Sequence, residues 1–591
     1  MRDVAALYAE WLEKAVADPD LIPELKQMKA DSARLEDAFY RDLEFGTAGL
    51  RGVIGAGSNR MNVYTVGRTS QGLSQYIQKR FPPAQWKIAV SYDSRIKSRL
   101  FAETAARVFA ANGIHVVMYA QLMPVPCLSF AVRNLCCGAG IMITASHNPA
   151  QYNGYKVYGP DGCQITSEGT TEILAAIEAL DPFADVKYID FEEGLERGLI
   201  SYIPEAVYTA FIEAVKMQSV LGKAAIDKDV SIVYSPLNGT GLKPVLRILS
   251  ESGYTKVRVV REQEQPDGTF PTCPCPNPEI REAMALGMEY AEKYRADLLL
   301  ATDPDCDRVG IAVKNSAGEY ELISGNETGM LLVDYLCSRR QAEGTLPEDP
   351  LVIKTIVTTD MVEQIAAHYG VKTCNVLTGF KYIGEQIRLL EEQGKAASYV
   401  FGFEESYGYL AGTHVRDKDA VVASFLICEM FCYYKAQGMS LLDKLAELYR
   451  TYGYCLNTLY SYTFAGASGF ERMQTIMEDF RRRGGALAPG GKRVLKVLDY
   501  AAGLEGLPPA DVVKFVLEDH GSVVIRPSGT EPKLKTYITV SAADKDNALV
   551  VEQCIKADLE KLIYEKKRSR QINRPVTHES YRPVCVCSQM F

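Results

Sequence analysis

The segment GIMITASHNPAQYNGYK, residues 140–156, joins an apolar run to a polar loop. Residues 141–143 predict a short buried strand, and the asparagine and proline at 148–149 predict that the chain turns away there. Ser146 and His147 therefore lie on a loop at the end of a strand, which we expect at the surface. Proteins with an α/β fold usually place their reactive groups at such ends. The segment predicts an α/β fold that presents a serine.

Helix and strand patterns alternate around this segment. Helices are predicted at 64–80 and 100–112, and strands at 86–92, 114–119, 230–234, 298–301 and 352–354. This alternation is typical of parallel sheets covered by helices. The last part of the chain differs, because strands at 523–525 and 537–540 are followed by one helix at 547–567. We therefore expect an α+β arrangement there.

An amphipathic pattern runs through the first forty residues. Its apolar positions are Leu7, Trp11, Val16, Met28 and Leu35. Because they recur at helical spacing, we expect this segment to form helices that pack on the first domain.

The composition is that of an ordinary globular protein with several domains. The 591 residues are 47% hydrophobic and 24% charged, and the formal net charge is -9. This charge argues against nucleic acid or an anionic membrane as a partner. Fifteen cysteines without a CxxC pair favour reduced thiols. Neither a secretion signal nor a long apolar run is visible, so the cytoplasm is the expected location.

A second informative segment is DLLLATDPDCDRVGIAV, residues 297–313. An apolar strand runs into Asp303, Asp305 and Asp307, whose carboxylates would repel one another without a cation. Oxygen ligands of this kind favour Mg²⁺ over zinc. An EF-hand is excluded, because Arg308 stands where that loop needs glycine. The alternative is a solvated acidic turn, and the buried strand before the aspartates favours the metal.

Two further polar loops could bind a phosphorylated sugar. GFEESYGYLAGTHVRDKD, residues 402–419, offers acidic and hydroxyl acceptors followed by cations. IRPSGTEPKLK, residues 525–535, offers a hydroxyl-rich loop and an arginine to a phosphate. Alone, each could be an ordinary polar loop or turn. No Walker motif or GxSxG occurs, and the GxG that begins at Gly55 is not a dinucleotide fingerprint, because Arg60 stands at its last glycine position.

Together, TASHNP, DPDCDR, GFEES and RPSGTEP occur in the order found in the α-D-phosphohexomutase family, which the chain resembles. FGTAGLRG at 45–52 and PDGTFPTCPCPNPE at 266–279 are similar to two more family segments. The long third motif is most like the bacterial α-phosphoglucomutase branch. The resemblance covers residues 45–538.

The resemblance implies a role for each motif residue. Ser146 would be the phosphoserine and a metal ligand, together with Asp303, Asp305 and Asp307. Catalytic roles would fall to Ser146, His147, Lys156, Arg51 and Lys418. Substrate contacts would come from Arg308, Thr378, Gly379, Glu404, Ser406, Arg526, Ser528, Gly529 and Thr530. Lys418, with a lowered pKa among cations, His147 and Lys156 are alternative general acid/base groups.

The implied fold is four domains around a central cleft: three related α/β units with mixed sheets and a smaller C-terminal α+β domain. Expected boundaries are 1–202, 203–323, 324–452 and 453–591. The implied reaction interconverts glucose 1-phosphate and glucose 6-phosphate, with Mg²⁺ as cofactor and glucose 1,6-bisphosphate as activator and intermediate. Small phosphosugars are the expected partners, and neither nucleic acid nor a membrane is expected. Phosphomannomutase or phosphopentomutase activity, or a Mg²⁺-dependent sugar phosphatase, is the alternative.

Overall fold

The computed structural model describes residues 2–46, 49–165, 167–464, 466–504, 506–528 and 533–564. Gly529, Thr530 and the end of the predicted helix 547–567 lie outside the described residues. The strands are β1 Phe45–Gly46, β2 Gly49–Val53, β3 Lys87–Tyr92, β4 His115–Met118, β5 Ala139–Ile143, β6 Tyr152–Tyr158, β7 Ile200–Tyr202, β8 Ile232–Ser235, β9 Val257–Val259, β10 Leu298–Thr302, β11 Val309–Lys314, β12 Tyr320–Ile323, β13 Leu351–Thr355, β14 Lys372–Val376, β15 Tyr399–Glu404, β16 Gly408–Ala411, β17 Tyr454–Thr463, β18 Val494–Asp499, β19 Val513–Leu517, β20 Ser522–Pro527 and β21 Lys533–Ala542.

The helices run between and around these strands. They are α1 Val4–Lys14, α2 Leu21–Met28, α3 Ser32–Phe39, α4 Val63–Arg80, α5 Ser98–Ala111, α6 Val125–Asn134, α7 Ser167–Glu178, α8 Phe191–Glu196, α9 Glu205–Lys216, α10 Leu242–Glu251, α11 Arg261–Glu264, α12 Arg281–Tyr294, α13 Gly325–Ala342, α14 Met361–His368, α15 Phe380–Glu392, α16 Ala420–Ala436, α17 Leu441–Tyr452, α18 Gly466–Arg483 and α19 Lys545–Tyr564. None of the helices in the described ranges has the length and apolarity needed to cross a membrane.

The chain forms two compact units. Unit one contains Met1–Lys354 and Gly379–Leu441, and unit two contains Thr355–Thr378 and Leu442–Phe591.

The first sheet of unit one has seven strands in the order β1-β2-β6-β5-β3-β4-β7. β3, β4, β5 and β7 are parallel, while β6 runs antiparallel to both β5 and β2. Trp11 and Met28 are buried in its core, as the amphipathic pattern predicted. Val16 is 72% exposed just beyond α1, so its predicted burial is wrong.

The second sheet of unit one has the order β12-β11-β10-β8-β9. β8, β9 and β10 are parallel, and β11 and β12 are antiparallel additions. In the third α/β layer of unit one, β13 and β15 are parallel, and β16 returns antiparallel to β15.

Unit two carries an antiparallel sheet in the order β17-β21-β20-β19-β18. Side chains from α18 and α19, such as Phe480 and Leu559, pack with sheet residues such as Phe515 in one hydrophobic core. This confirms the predicted α+β character of the C-terminal part.

The mixed sheets of the α/β layers confirm the fold that the family resemblance implied, whereas the helix–strand alternation indicated parallel strands and did not show the antiparallel ones. The reason is the length of the connections, because a parallel return needs about a dozen or more residues. Only residues 303–308 separate β10 from β11, and only 405–407 separate β15 from β16. These short connections make antiparallel pairs, and they carry the polar motifs.

Candidate active site

Ser146 lies on the loop between β5 and β6, residues 144–151, which we call the serine loop. Its backbone is left-handed, with φ of 53°, a conformation that costs energy for a residue other than glycine. Its amide donates to the Thr144 hydroxyl at 2.8 Å. Only 2% of Ser146 is exposed, so the expectation of a surface loop is wrong. The serine is held inside a packed site.

The hydroxyl of Ser146 meets the loop between β10 and β11, residues 303–308, which we call the aspartate loop. Its Oγ donates to Oδ2 of Asp303 at 2.9 Å and accepts from Nη1 of Arg308 at 2.7 Å. Nδ1 of His147 lies 3.3 Å from the same Oγ. Residues of the TASHNP and DPDCDR motifs therefore meet at one atom, the Oγ of Ser146.

Three buried carboxylates form the predicted acidic cluster. Asp303, Asp305 and Asp307 each bring an oxygen to within 4.8 Å of the others. Oδ1 of Asp303 accepts the backbone N–H groups of Asp307 and Arg308, both at 3.0 Å, which closes the turn. Oδ1 of Asp305 and of Asp307 accepts no hydrogen bond from the described residues. Buried, unbonded carboxylate oxygens fit a hard cation, so the cluster could hold a metal ion.

Two lysines compensate the charge of this cluster. Nζ of Lys156 lies 2.8 Å from Oδ2 of Asp305, and Nζ of Lys418 lies 3.1 Å from Oδ2 of Asp307. Burial and the charges of Asp305 and Asp307 raise the pKa of Asp303 well above its usual value. Burial also acts to raise the pKa of Asp307, but Lys418 and Lys156 outweigh it and lower that pKa.

Lys418 has a raised pKa, so the predicted lowering is wrong. Burial acts to lower this pKa, but the carboxylates of Asp307 and Asp417 outweigh it. Asp417 is itself held by the Tyr158 hydroxyl at 2.9 Å and by Nε2 of Gln164 at 2.7 Å. The nearest charges are carboxylates rather than the cations suggested by the sequence, so Lys418 is an ammonium ion.

The pKa of His147 is shifted in the opposite direction to that of Lys418. Burial, with the positive charges of Arg308 and Arg51, holds its pKa well below the usual value. Its Nδ1 lies 2.6 Å from Nη1 of Arg308, so in the neutral ring Nδ1 accepts from the guanidinium. Arg51, on β2, reaches the same loop and donates from Nη1 to Oδ1 of Asn148 at 3.4 Å.

The third motif lies at the hairpin between β15 and β16. Oε1 of Glu404 accepts the backbone N–H of Gly379 at 2.9 Å, and burial raises the Glu404 pKa to about 7. Nε of Arg308 donates to the Ser406 carbonyl at 3.0 Å. Arg308 thus joins the hairpin to the serine loop.

Sequence reasoning missed Asp93 and Arg95, which follow β3 directly. Both side chains are fully buried, and Arg95 binds backbone carbonyls of the serine loop. The signal was present in SYDSR at 91–95, a charged pair after a strand that ends at the same edge as β5.

The remaining predicted residues belong to unit two. Arg526 and Ser528 are at the end of β20, where Nε of Arg526 lies 3.5 Å from the Pro527 carbonyl. Thr378 also belongs to this unit, and its buried Oγ1 has no hydrogen-bond partner among the described residues.

Four models of the phosphoglucomutase/phosphomannomutase family match the chain. The alpha/beta/alpha domains I, II and III match residues 42–183, 206–318 and 324–452, and the C-terminal domain matches residues 478–556.

Curated relatives extend over almost the same length. A phosphoglucomutase of Staphylococcus saprophyticus is 34% identical over 550 residues, covering 91% of this chain and 97% of its own. One from Staphylococcus aureus is 35% identical over 551 residues, covering 91% and 96%.

Solved structures share the fold. That of a phosphomannomutase from Thermus thermophilus has a TM-score of 0.65 at 22% identity and covers 88% of this chain and 99% of its own. The open form of parafusin, a phosphoglucomutase from Paramecium, has a TM-score of 0.65 at 18% identity, with coverages of 88% and 95%.

Proposed function

The chain belongs to the phosphoglucomutase/phosphomannomutase family, and on this premise we propose that it interconverts glucose 1-phosphate and glucose 6-phosphate. The phosphoryl group passes through Ser146 and through a bound glucose 1,6-bisphosphate. One observation supports this most directly: the buried Ser146 Oγ lies within hydrogen-bond distance of both Asp303 and Arg308. A hydroxyl at this position can carry a phosphoryl group, because the guanidinium of Arg308 compensates its negative charge.

The residues around Ser146 can compensate the negative charge of the phosphoryl group during its transfer. Arg308 donates to the serine oxygen, and the ammonium group of Lys156 stands beside Asp305. Ser146 and the three aspartates would hold Mg²⁺, which supplies positive charge to the transferring group when bound. Phosphoryl transfer depends mainly on positioning and electrostatic stabilisation, and a buried site strengthens both.

Lys418 and His147 differ in protonation state, which bears on their proposed roles in proton transfer. Lys418 carries a proton that the neighbouring carboxylates hold tightly, so it supplies positive charge, and His147 is a neutral ring whose Nδ1 lies 3.3 Å from Ser146 Oγ, where it can accept a proton. The raised pKa makes Lys418 a weak proton donor, because a catalytic acid works best with a pKa near the operating pH. We assign Arg51 to the positioning of the serine loop through Asn148.

Sugar and distal phosphate would bind to the third and fourth motifs. Glu404 and Ser406, with Thr378 and Gly379, offer acceptors and donors to sugar hydroxyls. Arg526, Ser528, Gly529 and Thr530 offer a guanidinium, hydroxyls and backbone N–H groups to a phosphate, on the strength of the sequence motif. The proposed domain boundaries are 202, 323 and 452, and the proposed location is the cytoplasm.

A phosphatase with Asp303 as nucleophile fits this geometry poorly. Oδ1 of Asp303 accepts two backbone N–H groups, and Oδ2 accepts the Ser146 hydroxyl. Because both of its oxygens accept hydrogen bonds, this carboxylate is suited to closing the turn and to binding a metal rather than to nucleophilic attack. The nucleophile that we propose is the Ser146 hydroxyl, whose proton is donated to Asp303.

The test is the formation of glucose 6-phosphate from glucose 1-phosphate by wild type and Ser146→Ala. We expect the variant to lose several orders of magnitude in turnover while remaining folded. Ser32→Ala, an exposed serine on α3, is the matched control and should behave as wild type. Near-normal turnover by Ser146→Ala would overturn the assignment.

Substrate preference is tested on the same protein with glucose, mannose, glucosamine and ribose 1-phosphates side by side. We expect glucose 1-phosphate to give the highest kcat/KM. A higher value for the mannose or ribose compound would move the chain to the phosphomannomutase or phosphopentomutase alternative.

A further inference from the structure

Arg95 makes an unusual number of contacts with the serine loop. Its Nη1 donates to the carbonyls of Pro149 and Tyr152, both at 3.0 Å. Its Nη2 donates to the carbonyl of Ser146 at 2.6 Å and to that of Asn148. One guanidinium therefore binds four carbonyls between the reactive serine and the start of β6.

The guanidinium is itself fixed in place. Neither the Arg95 nor the Asp93 side chain is exposed, and Nε of Arg95 lies 3.4 Å from Oδ2 of Asp93. Oδ1 of Asp93 accepts the Ser98 hydroxyl at 2.7 Å and the Arg95 backbone N–H at 2.9 Å. The Phe270 ring lies 5.1 Å from the guanidinium carbon. Planar, rigid donors of this kind bind several acceptors in a fixed geometry.

We propose that Arg95 is a positioning residue for phosphoryl transfer: it holds the serine loop so that Ser146 Oγ stays between Asp303 and Arg308. The need for such a clamp follows from the backbone of Ser146, which is left-handed and must be held there by its surroundings. The Ser146 carbonyl is one of the four that Arg95 binds, so the clamp acts on the strained residue directly.

The kinetic constants of Arg95 variants distinguish a positioning role from a purely structural one. A loop that shifts moves the nucleophile without removing the groups proposed to bind sugar and distal phosphate. A displacement of about 1 Å of a reacting group can lower turnover by about 100-fold. Loss of the clamp should therefore lower kcat and leave KM nearly unchanged.

A cavity next to Arg95 allows a further measurement. It has a volume of about 570 Å³ and is lined by Asp93, Ser94 and Arg95 from the first α/β layer and by Gly239 and Thr240 from the second. Because the cavity borders Arg95, truncation of this side chain would join the space of the guanidinium to the cavity, and free guanidinium ion is therefore a suitable rescue probe.

The experiment compares Arg95→Lys and Arg95→Ala with the control Arg99→Lys, whose arginine is exposed on α5 and pairs with Glu103. Lysine keeps the charge beside Asp93 but has no planar fork. At matched folded concentration, we expect kcat of both Arg95 variants to fall by about 100-fold, with KM for glucose 1-phosphate changed less than about threefold. The rate at which glucose 1,6-bisphosphate phosphorylates Ser146 in a single turnover should fall by the same factor.

Guanidinium chloride at a non-denaturing concentration should restore part of the kcat of Arg95→Ala and none of that of Ser146→Ala. Wild-type kcat in a folded Arg95→Lys would overturn the proposal. Failure of both Arg95 variants to fold would assign the residue to stability and overturn it as well. The inference rests on the proposed function, but the two fail separately: an inactive wild type refutes the function, whereas an active wild type with equally active variants refutes the clamp.

Discussion

At the scale of single residues, burial decides what each ionisable group does. Lys418 and His147 were alternatives in the sequence because both are basic and follow recognisable motifs. In the structure carboxylates surround Lys418 and guanidinium groups surround His147, so their pKa values move in opposite directions. No local pattern could show this, since the neighbours come from segments far apart in the chain.

Glu404 gives a prediction about stability at this scale. Burial raises its pKa from 4.5 to about 7, so between these pH values the folded chain holds a proton that the unfolded chain has lost. Stability therefore falls as pH rises through this range, by up to about 3 kcal/mol. Glu404→Gln should melt at a higher temperature than wild type at pH 8, and the difference should shrink at pH 5.

The control for that measurement is Glu36→Gln, an exposed position on α3. Its melting temperature relative to wild type should be the same at both pH values. A Glu404→Gln difference that does not change with pH would contradict the raised pKa.

At the scale of elements, the short connections after buried strands carry the chemistry. The strands at 141–143 and 298–301 and the helix at 64–80 could be predicted, because apolar periodicity is local. Strand direction could not be read from the alternation, because it depends on how many residues each connection has. The tight returns that make β6, β11 and β16 antiparallel are the same segments that carry Ser146, the aspartates and Ser406.

The aspartate loop predicts dependence on a divalent cation. Asp305→Asn and Asp307→Asn each remove one anionic ligand from a site that holds its ion mainly by charge. We expect activity to require Mg²⁺ in wild type and each variant to need a higher Mg²⁺ concentration or to be inactive. Asp297→Asn, before the same strand and paired with Lys435, should respond to Mg²⁺ as wild type does. Full activity after thorough chelation would contradict the metal site.

The end of β20 gives a prediction about the activator. If Arg526 binds the phosphate that is not reacting, its removal takes away a charge-assisted contact of about 1.5–3 kcal/mol. The bisphosphate should then escape more often and leave Ser146 unphosphorylated. Arg526→Ala should therefore raise KM and make activity depend strongly on added glucose 1,6-bisphosphate.

Titration of the bisphosphate against wild type, Arg526→Ala and Arg493→Ala separates this role from a structural one. Arg493 is exposed in the same unit and lies 3.8 Å from Glu518. An activation curve for Arg526→Ala that matches those of wild type and the control would exclude Arg526 from the site.

At the scale of the whole molecule, four motifs in one order predicted the family, and the four family models confirm it. The motifs also indicated which residues converge: Ser146, Asp303 and Arg308 meet although they are distant in sequence. The sequence did not indicate the groups behind them, such as Asp93, Arg95 and Asp417. These residues act on backbone carbonyls or on other side chains, and their contacts become visible only when the chain is folded.

Ser146 is proposed to carry the phosphoryl group between the two sugar phosphates. Mass spectrometry of the purified protein after incubation with glucose 1,6-bisphosphate tests it most directly. We predict one phosphoryl group, located on Ser146, that disappears when excess glucose 6-phosphate is added and is absent from Ser146→Ala. A fully active protein without phosphate on Ser146, or with a phosphate that does not transfer to the sugar, would contradict this role of Ser146.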